Sequence, residues 1–357
     1  MKMKKTTVLL GAGAMIPYGG PTSNDLTQRL LSNSESKSFF GTIYNWTNGK
    51  ANFEFLLSSI ETLLDWKLAY KDSSPEFLNS NILLEPILAF RYSTIQKIWD
   101  IYREAINDII ERIKEYDYYS CESSYIEKQK ILIDFIVDKS QKSDLKIYSL
   151  NYDRIIPRKG TKAGIEFYEG FCKSFCEYNL NKLINHPTTF FNIHGSIYNN
   201  YTYGSDVQIN DGPVTLEHIY NLKGGNPYEN KIFLPIIAGY SKSQRIMSEP
   251  FNLGITAFMF DCNSCSRLVI VGYSFEDPHI NAILRKFVKL DSTEIVIVDY
   301  CKGDKIRDEL RGIPYQVFGI QGAQFIGENN FLYLDKNPHI HLYLDGFEQY
   351  ILENMES

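Results

Sequence analysis

The stretch Thr6-Thr7-Val8-Leu9-Leu10-Gly11-Ala12-Gly13 decides the fold, because an apolar run ends there in two glycines separated by one alanine. A short apolar run bounded by glycine predicts a buried β-strand. Glycine after a strand permits positive φ angles and lets a phosphate approach the backbone N–H groups of a helix N-terminus. Pro21 then precedes a helix that we predict from about Thr22 to Leu31. The chain therefore starts with a strand, a glycine turn and a helix.

The block from Asn52 to Val137 has the pattern of helices. Phe53 to Trp66 and Tyr125 to Val137 are helical by pattern, and from Ile95 to Ile113 the apolar residues recur in steps of three and four. That spacing is typical of a long amphipathic helix. The apolar stripes of this block either form an oligomerisation surface or cover the sheet, and the sequence leaves both interpretations open.

Strand patterns return after the helical block. They are predicted at Leu145–Leu150, Phe190–Ile193, Ile232–Ile237, Arg267–Val271 and Glu294–Val298. A further helix is predicted from Phe275 to Leu290. Continuous apolar strands suit a parallel sheet that is covered on both faces. We therefore predict an α/β fold with a Rossmann-like parallel sheet and a helical insertion after the first βα unit.

This pattern divides the chain into three parts. Residues 1–50 and 140–320 are predicted to form a discontinuous Rossmann-like domain, and residues 51–139 the helical insertion. Residues 321–357 are predicted to form a C-terminal extension that packs on the domain.

Composition limits the classes of partner. The 37 Lys and Arg residues against 43 Asp and Glu give a net charge of −6, which argues against a nucleic-acid module because phosphate contacts need a basic face. No stretch approaches the roughly 20 apolar residues that cross a bilayer. The run Val8–Leu10 after the basic N-terminus is too short for a signal peptide, and six cysteines in 357 residues do not make a disulfide framework. We expect a cytoplasmic protein without direct nucleic-acid or membrane contacts.

Polar or glycine-containing motifs follow five of the predicted strands. They are Gly11-Ala12-Gly13, Asn151-Tyr152-Asp153, His194-Gly195-Ser196, Gly272-Tyr273-Ser274 and Asp299. Each could be a plain turn, and the full dinucleotide fingerprint is not met because Ile16 holds the third glycine position. All five nevertheless lie at the carboxyl ends of strands, where open α/β sheets bind ligands. Together they predict a dinucleotide site with an amide, a carboxylate and a histidine near its reactive end.

The succession G-A-G, N-Y-D, H-G and G-Y-S-F resembles the sirtuin superfamily, and in particular the bacterial sirtuin-like proteins of antiphage defence. The resemblance covers about Lys5 to Tyr300. It is sharpest in the stretches VLLGAGAMIPYGGPTSNDL, NFEFLLSSIETLL, YSLNYDRI, FNIHGSI and VIVGYSFEDPHIN.

The resemblance implies a role for each motif. It makes Asn151, His194 and Asp153 the catalytic residues, with Asn151 and Asp153 beside the nicotinamide and its ribose. The glycine turn would cradle the NAD pyrophosphate, and the G-Y-S turn would hold the adenosine side. The full set of expected NAD-binding residues is Gly11, Ala12, Gly13, Pro21, Thr22, Gly272, Tyr273, Ser274 and Asp299.

The chain departs from the protein deacylases of this superfamily. They carry a P-D-F-R stretch where this chain has Pro21 to Asp25, and a zinc module of paired CxxC motifs after the catalytic histidine. Here one CxxC, Cys262-x-x-Cys265, is joined only by Cys172-x3-Cys176 before the histidine, and His339-x-His341 lacks an acid or cysteine partner. Structural zinc takes four ligands, and single apolar cysteines in helices are ordinary core residues. We expect no zinc.

Without a zinc lobe an acyl-lysine peptide has no groove, so we expect water as the acceptor. The resemblance then implies an NAD+ hydrolase that releases nicotinamide and ADP-ribose. It also implies an abortive-infection antiphage effector that depletes NAD+, forms a homo-oligomer and works beside a HerA-type ATPase. Two alternatives stay open: an NAD-dependent protein deacylase or ADP-ribosyltransferase, and a non-catalytic nucleotide-sensing subunit of a partner ATPase.

Overall fold

The computed structural model describes residues 4–32, 36–69, 90, 93–119, 123–170, 180–201, 207–215, 236–239, 242–248, 250–301, 310, 312–319, 323–327, 330–333 and 340–355. Within these ranges, no helix combines the length and the apolar character that crossing a membrane would need.

Apolar runs form the strands of one large sheet. The strands in the described ranges are β1 Lys5–Leu10, β2 Asp144–Ser149, β3 Thr188–Asn192, β4 Asn199–Tyr201, β5 Val207–Ile209, β6 Arg267–Val271, β7 Glu294–Val298, β8 Ala323–Gly327, β9 Asn330–Tyr333 and β10 Ile340–Tyr343. Eight of them form a sheet in the order β3-β2-β1-β6-β7-β10-β9-β8, and β4 pairs with β5 as a separate antiparallel ribbon.

The first six strands in this order are parallel to one another. At the β10 edge, β9 pairs antiparallel with β10, and β8 pairs antiparallel with β9. Chain order along the parallel part is third, second, first, fourth, fifth and sixth, which is the doubly wound Rossmann arrangement. Strands β6 and β7 are buried over four consecutive residues, because both faces of the sheet are covered. The predicted Rossmann-like parallel sheet is confirmed.

Helices cover the sheet and fill the long connection after its first strand. They are α1 Ser23–Ser32, α2 Lys37–Trp46, α3 Phe53–Ala69, α4 Ile95–Asp117, α5 Ser123–Lys142, α6 Ile155–Lys162, α7 Leu180–Asn185, α8 Lys242–Ile246, α9 Phe251–Ser264, α10 Pro278–Phe287, α11 Ile313–Phe318 and α12 Phe347–Met355. A short 3-10 helix, Ala12–Tyr18, lies between β1 and α1.

The predicted helical insertion is present: the described chain between α1 and β2 forms α2 to α5. Thr94 is the N-cap of α4: its Oγ1 accepts a hydrogen bond from the Lys97 N–H at 3.2 Å. The apolar stripe of α4, from Ile98 to Ile113, is buried in the core of this same chain. The stripe of α4 is therefore not an oligomerisation surface, and its main contacts are with helices α1 and α3.

The C-terminal segment joins the sheet rather than only packing on it. Strand β10 pairs parallel with β7, and β9 and β8 extend the same sheet. Helix α12 then contacts α5, where Lys128 forms an ion pair with Glu348 at 2.8 Å. The predicted division at residues 320 and 321 remains a prediction, but this segment contributes strands to the Rossmann-like sheet.

Some predicted elements differ at their ends. Only the end of the predicted strand Ile232–Ile237 is described, and there Ile236 forms an isolated antiparallel bridge with Gly195. Helix α10 begins later than the predicted Phe275, because Pro278 suits the first turn of a helix and Phe275 adopts the left-handed φ of 59°. Cys172, Cys176 and His339 lie outside the described residues.

Candidate functional site

Two glycine turns meet at the point where the sheet order reverses. Gly11 follows β1 and Gly272 follows β6, and these two strands are neighbours. A Cβ on Gly11 would lie 2.4 Å from the Gly272 carbonyl oxygen, and one on Gly272 would lie 2.2 Å from the Ala14 nitrogen. Because no side chain fits between the turns, glycine is required at both positions. This topological switch point is where doubly wound sheets bind ligands.

A cavity of about 550 Å³ opens over these turns. It is lined by ten of the twelve residues that the sequence predicts for the site: Gly11, Ala12, Gly13, Pro21, Asn151, His194, Gly272, Tyr273, Ser274 and Asp299. The volume lies within the usual range for small-molecule and cofactor sites, about 300–1,000 Å³. The two predicted residues that do not line it are Thr22 and Asp153.

The glycine turn offers fewer free amides than expected. The Gly11 N–H donates to the Val271 carbonyl at 2.8 Å, and the Gly13 N–H donates to the Gly272 carbonyl at 2.9 Å. These bonds tie the two turns together, so neither amide is available to a phosphate while they persist. The segment that follows is a 3-10 helix containing Pro17, and the α-helix predicted from about Thr22 comes after it as α1.

Thr22 caps helix α1 instead of facing the cavity. Its Oγ1 accepts a hydrogen bond from the Asp25 N–H at 3.0 Å, and the Asp25 carboxylate accepts one from the Thr22 N–H at 2.8 Å. This reciprocal pair satisfies two backbone donors at the helix start. Pro21, Ser23 and Leu26 line the cavity beside it.

Hydrogen bonds hold both the side chain and the backbone of Asn151. Its Nδ2 donates to the Gly11 carbonyl at 2.9 Å, and its own N–H donates to the Ser149 hydroxyl at 3.1 Å. Asn192, at the end of β3, donates from Nδ2 to the Asn151 and Asp153 carbonyls. The Asn151 side chain is thereby fixed at the cavity wall. Asn192 was not among the predicted site residues, although it is the polar residue at the end of strand β3.

His194 is a buried, neutral base candidate. It is 2% exposed, and burial lowers the pKa of His194 well below its ordinary value, with the positive charge of Lys242 acting in the same direction. The Leu150 backbone accepts a hydrogen bond from the ring, and the Nε2 atom lies 3.4 Å from Nε2 of His279. An imidazole held at one nitrogen presents the other as an acceptor. His194 can therefore take a proton in the cavity.

Asp153 lies behind the cavity wall. Its Oδ2 accepts a hydrogen bond from the Tyr116 hydroxyl at 2.7 Å, and its Oδ1 accepts one from the Ile155 N–H at 3.1 Å. Tyr116, near the end of α4, lines the cavity in its place. Burial and the nearby Asp117 raise the pKa of Asp153. In this arrangement Asp153 is connected to the cavity through Tyr116 rather than directly.

Charged residues that sequence analysis missed gather beside His194. Lys242 lies 2.8 Å from an Asp277 oxygen and 3.0 Å from a Glu54 oxygen. His279 follows Asp277 by two residues at the start of α10. The sequence signal for Asp277 and His279 was the end of the stretch VIVGYSFEDPHIN, beyond the G-Y-S turn. Glu54 comes from α3, so the helical insertion supplies part of the wall.

The wall is acidic apart from Lys242. Among its described residues, Glu54, Glu276, Asp277 and Asp299 carry carboxyl groups, and Lys242 is the single lysine or arginine. Burial raises the pKa of Asp299, which accepts a hydrogen bond from the Tyr300 N–H at 2.7 Å. Carboxylates at strand ends suit ribose hydroxyls, which donate hydrogen bonds.

The Cys262 and Cys265 pair lies away from the cavity. Both are buried, in helix α9 and directly after it, and burial raises the pKa of each thiol. A thiol whose pKa is raised resists forming the thiolate that binds a metal. In the described residues neither belongs to a cluster of metal-ligating groups.

No protein-family model and no curated protein matches this chain. Similar solved structures include one described as "The Structural basis of Sirtuin Substrate Affinity", at 12% identity and a TM-score of 0.42, covering 99% of this chain and 94% of that one. Another is a complex of a Sir2 homologue mutant with ADP-ribose, at 11% identity, the same TM-score and the same coverage. At this similarity the assignment of function depends on the cavity itself.

Proposed function

We propose that the protein is a sirtuin-like NAD+ hydrolase that converts NAD+ and water to nicotinamide, ADP-ribose and a proton. The observation that carries the proposal is the convergence of Asn151 and His194 on one cavity at the switch point of the sheet. Dinucleotides bind at this point in doubly wound sheets. A neutral histidine can act as the base, and a carboxamide can orient the reacting groups, in hydrolysis of the nicotinamide bond.

Nicotinamide leaves NAD+ as a neutral molecule, so the site needs no general acid. Bond cleavage passes through an oxocarbenium-like state, as in glycoside hydrolysis. Water attacks the ribose carbon, and its proton passes to Nε2 of His194. The pKa of His194, lowered by burial, keeps this nitrogen free of a proton at neutral pH.

Asn151 orients the reacting groups. Its amide nitrogen is held by the Gly11 carbonyl, which fixes the side chain so that Oδ1 can accept a hydrogen bond from water or from the nicotinamide carboxamide. Asp153 acts as a positioning residue in this mechanism, because it reaches the cavity through the Tyr116 hydroxyl. In this mechanism Tyr116 and the carboxylate of Asp299, which both line the cavity, contact ribose hydroxyls.

The biological setting that we propose is antiphage defence by abortive infection in the cytoplasm. Unrestrained NAD+ hydrolysis would kill the host, so the resting enzyme must be held inactive. We propose that assembly as a homo-oligomer, or binding to a HerA-type ATPase, provides this control. The buried apolar stripe of α4 takes no part in such a surface, because it already lies in the core.

The test compares NAD+ turnover by the wild-type chain with that of His194→Ala and Asn151→Ala. We expect each substitution to lower turnover by at least about 100-fold, the usual size of a general-base contribution. His186→Ala is the matched control, because His186 lies outside the cavity wall and binds the Thr188 backbone. Near-wild-type turnover in either cavity variant would refute the assigned roles.

The same assay separates the alternatives. Nicotinamide release that depends on an acylated peptide or a protein acceptor would identify a deacylase or an ADP-ribosyltransferase. NAD+ binding without turnover, both alone and with the ATPase present, would identify a nucleotide sensor.

A further inference from the structure

A second chemical feature of the cavity is a cluster of three metal-ligating side chains at its reactive end. One ligand atom from each of His194, Asp277 and His279 lies within 4.8 Å of the other two. The two histidine Nε2 atoms are 3.4 Å apart. Among the described residues, no other group of histidine, cysteine and carboxylate side chains meets this spacing.

The separation of the two nitrogens matches a tetrahedral metal site. Zinc binds histidine nitrogen at about 2.0–2.1 Å in tetrahedral geometry, so two histidine ligands of one ion lie about 3.3–3.4 Å apart. At the same distance, a direct hydrogen bond between two imidazoles is weak, because nitrogen donors and acceptors prefer about 2.9–3.0 Å. The distance between the two Nε2 atoms therefore suits a metal ion bound between the rings better than a shared proton.

The direction of the lone pairs also favours a cation. The Leu150 backbone accepts a hydrogen bond from the His194 ring, while Nε2 faces His279. A backbone partner on one ring nitrogen is the usual way in which proteins orient a metal-binding histidine. The surroundings carry the matching charge, because Glu54 and Asp277 supply two carboxylates against the one ammonium of Lys242.

We propose that His194, His279 and Asp277 form a binding site for a divalent transition-metal ion of the zinc type. The open cavity leaves the fourth position to water. Lys242 holds one oxygen of Asp277, so the other oxygen is the ligand. This set of two histidines and one carboxylate matches known sites for zinc and related ions. The proposed site differs from the zinc module of paired CxxC motifs, which this sequence does not contain.

Metal binding at this site would affect NAD+ hydrolysis, an expectation that rests on the proposed function. A metal ion on Nε2 of His194 uses the lone pair that would accept the proton from water. Bound metal would therefore inhibit NAD+ hydrolysis, and chelation would restore it.

The site is tested by titrating the metal-free full chain with Co²⁺ in the absence of nucleotide. Co²⁺ reports its ligands by visible absorption, and Zn²⁺ is then added to displace it. We expect one equivalent per chain, a visible spectrum of four- or five-coordinate cobalt, and no thiolate charge-transfer band. His279→Gln and Asp277→Asn should each weaken binding by at least about tenfold, since even an outer partner of a metal ligand is worth 10–100-fold.

His186→Gln is the matched control, because it removes a histidine that lies outside the cavity wall. It should leave the affinity unchanged. The proposal is overturned if Co²⁺ does not saturate, if both cavity variants bind as tightly as the wild type, or if a thiolate band assigns the ion to cysteine. Since the titration needs no NAD+, its outcome is independent of whether the chain hydrolyses NAD+.

Discussion

At the scale of single residues, Asp153 is the buried carboxyl whose protonation couples to folding. Burial raises its pKa to about 7, so the folded chain holds this proton more tightly than the unfolded chain, where the pKa is near 3.8. The contribution to stability is complete below about pH 4 and is lost as the pH rises to about 7. The carboxyl of Asp117, whose pKa burial also raises, acts in the same direction.

Asp153→Asn should flatten this dependence. The amide cannot ionise, so we expect the free energy of unfolding to decrease less between about pH 4 and pH 7 in the variant than in the wild type. Urea unfolding at several pH values measures the slope. Asp291→Asn, at an exposed position, is the control. An unchanged slope in Asp153→Asn would show that this carboxyl is not the source of the dependence.

The sequence predicts the residues that follow strands but not those that reach the site from elsewhere. Asn151 and His194 were found because a polar residue directly after an apolar strand must lie at the edge of the sheet. Tyr116 and Glu54 were missed because they lie on helices of the insertion, where nothing in the local pattern shows which turn faces the cavity. The displacement of Asp153 from the wall follows from Tyr116 taking its place.

At the scale of secondary-structure elements, hydrogen bonds and an ion pair connect helix α4 to the segment that follows β2, which carries Asn151. Tyr116 donates to Asp153, and Asp117 accepts from the Arg154 N–H at 2.9 Å and pairs with Arg158 at 2.6 Å. The helical insertion therefore positions the loop after β2. We therefore expect a displacement of α4 to move the loop that carries Asn151.

Tyr116→Phe tests this connection. The substitution leaves the buried Asp153 with one donor fewer, which should lower the free energy of unfolding by about 1–3 kcal/mol. It should also lower kcat for NAD+ more than it raises KM, because the loop is displaced while most binding contacts remain. Tyr44→Phe, on α2 and outside the cavity wall, is the control. Equal effects of the two substitutions would contradict a special role for Tyr116.

The meeting of the glycine turns after β1 and β6 gives a second prediction at this scale. Gly272 and Gly319 have similar positive φ angles, 56° and 69°, but an added Cβ clashes with backbone only at Gly272. Gly319→Ala should therefore cost about 1–2 kcal/mol from backbone strain alone. Gly272→Ala should cost at least about 2 kcal/mol more, or prevent folding, since backbone must move.

Thermal unfolding of the two variants, with NAD+ binding measured beside it, checks this expectation. Similar losses of stability at the two glycines would show that the turns can separate, and that the close approach seen here is not required.

At the scale of the whole molecule, the order of the strands places the site. The reversal between β1 and β6 opens the edge of the sheet, and the helical insertion closes one side of the opening with α3 and α4. The sequence predicted the parallel core because its strands are continuous apolar runs. It did not predict that β10 joins the sheet as a sixth parallel strand, because four alternating residues do not specify which strand they pair with.

NAD+ hydrolysis is tested most directly by the identity and ratio of the products formed from NAD+. The purified chain is incubated with NAD+, alone and with the proposed HerA-type ATPase, and the mixture is separated by chromatography. We expect nicotinamide and ADP-ribose in equal amounts, with neither formed by His194→Ala. An intact NAD+ pool under both conditions, with NAD+ still bound by the chain, would contradict it.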